Sequence, residues 1–83
     1  MNDEILRRLN QIEQELRQIE PRIDSLLENA TASTDLGYVI AEVNALVFRM
    51  LIKQGVKKMM PIVNLCVELE DFVNSLNGGS LRS

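Results

Sequence analysis

Apolar positions along this chain fall into three blocks of different character. The first, from Asp3 to about Asn29, is polar with a narrow apolar seam of Ile5, Leu9, Ile12, Leu16, Ile19, Ile23 and Leu26, spaced 4, 3, 4, 3, 4, 3. An unbroken 3.5-residue repeat marks a coiled-coil seam, narrower than the stripe of an ordinary surface helix. The spacing predicts a helix over 3–29, about 40 Å long. Leu9, Leu16 and Ile23 take a positions, and Ile5, Ile12, Ile19 and Leu26 take d positions. Leu at a with Ile at d disfavours parallel dimers and points to trimers or tetramers. Leu6 and Leu27, at e, widen the apolar face. Pro21 falls at f, the outermost position, and the seam keeps its phase across it. A kinked but continuous helix is therefore expected, the alternative being a break with Pro21 opening a second short helix.

Residues 29–35 are small and polar and read as a loop, with Ser33, Thr34 or Asp35 as the helix cap. The second block, 35–54, is apolar around most of its circumference. Leu36, Val39, Ile40, Val43, Val47, Met50 and Leu51 mark one face, while Tyr38, Ala41, Ala45, Leu46, Phe48 and Ile52 fill much of the rest. Such a helix is buried on several sides, and a chain this short has few elements to cover it. This is the strongest sequence hint of oligomerisation. Asn44 within it either fixes register at a seam or lies at an exposed edge.

In the third block, Gly55 suggests a cap or bend, 56–60 a loose turn, and Pro61 a first helical position. A helix over 61–76 follows, with Ile62, Val63, Cys66, Leu69, Phe72, Val73 and Leu76 on its apolar face. Asn77-Gly78-Gly79 stops it, and 78–83 reads as a flexible tail resembling a cloning linker. The blocks together predict one all-α domain over 1–77. It is a helical hairpin or three-helix unit with a heptad N-terminal helix, assembling into an oligomeric helical bundle. The candidate oligomer interface is Ile5, Leu9, Ile12, Leu16, Ile19, Ile23 and Leu26 with Val39, Val43, Val47 and Met50. The same seam also suits an antiparallel bundle within one chain.

Composition narrows the chemistry. Among 83 residues there is no His, which removes His-based acid/base catalysis, Ser-His and Cys-His nucleophile pairs, and nearly all zinc and haem sites. The single Cys excludes an internal disulfide. Cys66 sits on a predicted core face with nothing to activate it, so a buried inert thiol is expected. No Gly-rich phosphate loop, Cys pair or Ser-centred elbow occurs. No enzyme activity, metal or cofactor is expected.

Nine Lys and Arg stand against twelve Asp and Glu, a net charge of −3 that argues against a dedicated nucleic-acid binder. Four of the nine are Arg49, Lys53, Lys57 and Lys58, the candidate anion contacts. Were the second helix to run on through Gly55, Arg49, Lys53 and Lys57 would align at i, i+4 and i+8, a stripe able to meet phosphates, an acidic protein or anionic headgroups. The commoner role of such residues is a solvated face, and no aromatic side chain interleaves them. Glu68, Glu70 and Asp71 are too few to suggest a metal and better suit pairing with the 49–58 patch of another copy. Arg7, Arg8, Glu13, Glu15, Arg17, Glu20 and Arg22 read as a solvated flank.

Asn2-Asp3-Glu4 is acidic and no apolar run follows, so a cytoplasmic chain without a signal peptide is expected. Leu36–Ile52 is short for a membrane span and carries Glu42, Asn44 and Arg49, which favours a buried soluble helix. The expected function is that of a non-enzymatic helical interaction protein: an oligomerising adaptor, small regulator or assembly subunit. Its expected partners are its own copies, as a dimer or tetramer, or another helical protein. The alternative is nucleic-acid or anionic-surface binding through 49–58.

Overall fold

A computed structural model describes residues 3–32 and 35–76. Every element among them is helical: α1 (Asp3–Ile19), α2 (Leu26–Ala32), α3 (Leu36–Gln54) and α4 (Val56–Leu76). The fold is all-α and compact, with four helices where the sequence predicts two or three.

The extra helix comes from Pro21. α1 starts with Asp3 and Glu4 at its positive end and ends at Ile19, so the expected continuous helix over 3–29 is corrected to a break. Glu20 still donates its N–H to the Leu16 carbonyl at 2.8 Å, but Pro21 has no N–H for the next rung. The chain turns instead, and Arg17 Nη1 donates to the Pro21 carbonyl at 3.3 Å. Pro21 does not open the second helix either. α2 begins at Leu26 behind Ser25, whose Oγ accepts the Glu28 N–H at 3.2 Å. Ser25-Leu26-Leu27-Glu28 is the sequence of a capping box. Ile19 and Ile23 remain half-buried against the core and Leu26 is buried. The seam thus outlives the helix, because residues of a returning turn can cover the core in the same phase.

α3 is capped by Asp35, whose Oδ1 accepts the Tyr38 N–H at 3.3 Å. Ser33 and Thr34, the other candidate caps, lie outside the described residues, as do the predicted stop at Asn77-Gly78-Gly79 and the tail 78–83. Gly55 alone separates α3 from α4. It donates its N–H to the Leu51 carbonyl at 2.9 Å, and its own carbonyl accepts the Met59 N–H at 3.2 Å. Its φ of 95° and ψ of 154° lie in a region open essentially to glycine. α4 therefore starts at Val56, ahead of the predicted Pro61. Pro61 sits inside the helix, where it forgoes one rung, to the carbonyl of the exposed residue Lys57.

α3 and α4 pack as an antiparallel hairpin, tied by the Asn44 amide donating to Glu70 Oε1. α1 lies along α4, and α2 bridges α1 and α3, so the helices form a ring of neighbours in which the first meets the last. One apolar cluster fills the ring. The extents of 35 × 27 × 17 Å correspond to two helix layers, since packed helices stand about 8–10 Å apart. Among the described residues no helix is long and apolar enough to cross a membrane.

Candidate functional site

The residues expected at an oligomer seam lie inside this chain. Ile5, Leu9, Ile12 and Leu16 are at most 2% exposed. Leu26, Val39, Val43, Val47 and Met50 are buried with them, against the facing sides of α2 and α4. Ile19 and Ile23 are half-buried, and the large exposed apolar side chains lie elsewhere, mainly on α3 and α4.

One residue of the presumed solvated flank proves to be buried. Glu13 Oε1 accepts the Leu26 N–H at 2.6 Å, the Leu27 N–H at 3.3 Å and the Ser25 hydroxyl at 3.3 Å. Its Oε2 takes Arg17 Nε at 3.2 Å. A carboxylate from α1 thus caps the start of α2, where orphan N–H groups and the helix dipole favour negative charge. Burial pushes the Glu13 carboxyl upward, but the Leu26 and Leu27 N–H groups and Arg17 outweigh it and hold the group below the ordinary carboxylate value. Sequence reasoning missed this role. The available signal was Ser25 three residues before Glu28, which marks a helix start that needs a partner.

Arg8 joins α1 to α4. Its Nε lies 3.0 Å from Glu4 Oε2, off the direction of a hydrogen bond. Its guanidinium carbon stands 4.9 Å from the centroid of Phe72 and its Nη1 3.9 Å from Glu68 Oε1. Asn44 is half-buried and spent on Glu70, so it fixes the α3–α4 pairing within this chain. Cys66 is buried, and burial, followed by the Glu70 charge, pushes its thiol up to about 11. At neutral pH it stays protonated and unreactive.

Arg49, Lys53, Lys57 and Lys58 are all exposed. The bend at Gly55 leaves the first two on α3 and the last two on α4, so the predicted i, i+4, i+8 stripe is not formed. Arg49 instead borders an open cleft of about 500 Å³ with Arg22, Glu20, Asp24 and Glu42. Mixed charges there cancel rather than select an anion. Among the described residues no group of three carboxylates or thiols is placed to hold a metal.

Among the exposed residues are large apolar side chains, Tyr38 and Leu76 near the ends of the hairpin and a group along its middle. Phe48 (61%), Ile52 (72%), Val56 (61%), Met60 (41%) and Val67 (53%) are exposed. Ala41, Ala45, Phe48 and Ile52 recur at 4, 3, 4 along α3, turned away from the buried row of Val39, Val43, Val47 and Met50. Val56, Met60, Val63 and Val67 recur at 4, 3, 4 along α4. Phe48 is one turn from Asn44, and Val67 is one turn from its partner Glu70. The two rows therefore run side by side on the outer face of the hairpin. Toward the far end a shallow groove of about 400 Å³ opens between Gly37, Ala41, Asn44 and Val73. No protein-family model matches this chain, and no curated protein or solved structure matches it.

Proposed function

We propose that this chain is a non-enzymatic helical interaction protein that assembles with copies of itself through the outer face of α3 and α4. The observation that carries the reading is the exposure of Phe48, Ile52, Val56, Met60 and Val67 in a chain whose own core is already filled. Fully burying a large apolar side chain contributes about 1.5–3 kcal/mol, so a row of them left in water favours association. The seam of α1 supports the assembly from beneath, by packing on α4 and holding the hairpin in place. An oligomer of this kind acts as an adaptor or assembly subunit, presenting whatever surface remains outside the contact. The test is absolute mass in solution by light scattering over a concentration series. A dimer or tetramer that dissociates on dilution is expected. A monomer at every concentration removes the reading.

A further inference from the structure

We infer that the outer face of α3 and α4 is covered by a second copy laid antiparallel across it, about a two-fold axis near Asn64, with Lys57 of each copy against Asp71 of the other. The inference rests on the self-association reading and adds to it the orientation, the register and the charged contacts.

Lys57, Asn64 and Asp71 are spaced seven and seven, which places them on one helix face, and all three are exposed. The row reads positive, neutral, negative. Reversed about Asn64 it is its own complement: Lys57 meets Asp71, Asn64 meets Asn64, Asp71 meets Lys57. Laid parallel, it brings like charges together. Met60 and Val67, on the neighbouring row, exchange places about nearly the same centre. An isologous two-fold contact requires this kind of self-complementarity, in which residue i meets j and j meets i.

α3 obeys the same centre. Since Asn44 is level with Glu70 in the antiparallel hairpin, Phe48 lies within a turn of the level of Asn64. Phe48, an exposed aromatic ring on the α3 row, thus sits near the middle of the contact, where interface anchors concentrate. The reversed register also carries Val56 of the second copy to the level of the groove between Ala41, Asn44 and Val73. The five exposed side chains present on the order of 500 Å², at the upper end for a patch on an ordinary monomer.

The test uses the full chain and four proteins: wild type, Lys57→Glu, Asp71→Lys and the double variant, each followed by sedimentation at low and high salt. Both positions are exposed, and circular dichroism checks that the helices are kept. Each single reversal is expected to weaken the dimer roughly tenfold at low salt, because a two-fold contact counts every substitution twice. High salt narrows the difference. The double variant regains wild-type association. An equimolar mixture of the two single variants regains it too, because each then supplies the charge the other lacks. Association that is equal in all four, or that stays weak in the double variant and the mixture, overturns the antiparallel register and leaves self-association standing. A wild-type monomer at every concentration overturns both, and assigns the face to a different protein.

Discussion

α1 and α3 are of similar length and opposite composition. α1 is mostly charged and amide side chains with one thin apolar line, and every residue of that line within the helix is buried or half-buried. α3 is apolar around most of its surface, yet Tyr38, Phe48 and Ile52 stand in solvent. Burial follows phase rather than apolar content. A stripe as narrow as that of α1 matches what one neighbouring layer can cover. The surplus on α3 has no layer above it. The polar helix is thus the better buried of the two, and the apolar helix is the one left with surface to share.

This contrast can be broken by substitution. Leu9→Ala removes a fully buried side chain and is expected to cost about 2–5 kcal/mol in urea unfolding. A loss under ~1 kcal/mol would mean that α1 is not held as described. Gly55→Ala comes next, at about 1–3 kcal/mol. No atom lies within 4 Å of the added methyl, so its whole cost is the backbone at φ 95°. Glu13→Gln weakens the cap on α2 and is expected to cost about 1–2 kcal/mol at pH 7. Ile52→Ala is the smallest, within about 0.5 kcal/mol of wild type in the folding of one chain, while it weakens self-association. Equal costs for Leu9→Ala and Ile52→Ala would erase the distinction between the two helices.

The Glu13 cap also sharpens the contrast through pH. Its carboxyl is held below the ordinary value in the folded chain, against burial, by the Leu26 and Leu27 N–H groups and Arg17. A depressed folded pKa gives stability that is fully present above the unfolded value of about 4.3 and lost as pH falls through the folded value. Wild type is therefore expected to lose more stability than Glu13→Gln between pH 7 and pH 3, measured as the shift in urea midpoint. Parallel losses in the two proteins would exclude Glu13 as the source.

Much of the helical content was legible because it rests on period. Ile5, Leu9, Ile12 and Leu16 announce a helix and its buried side together. Gly55 marks the end of α3 by its backbone freedom, and Asp35, one of three candidate caps, marks its start by the carboxylate that accepts the Tyr38 N–H. The break after Ile19 was not legible from the seam, since Ile23 and Leu26 continue its phase whether the chain is helical or turns back. The start of α4 was hidden for the opposite reason: Pro61 suits a first helical position so well that its place in the second turn leaves no mark in the sequence. The outer face was visible only as excess. Which apolar residues of α3 and α4 remain outside depends on how α1 and α2 close the ring, a long-range outcome that no local spacing encodes. Glu13 was missed because a charge between two seam residues looks the same whether it meets water or the first amides of another helix.

The seven-residue α2 has a consequence for the order in which this molecule forms. A helix that short does not persist alone in water, where about 12–15 residues are needed even for good helix formers. Its first amides are satisfied by a carboxylate that reaches them only once α1 is in place. α2 is thus expected to be the last helix to appear on refolding and the first to open. Its amides are expected to exchange with solvent together and well before the centre of α4, as one cooperative unit. Hydrogen exchange followed residue by residue would see the α2 signals vanish first, and vanish sooner still once Glu13 is replaced.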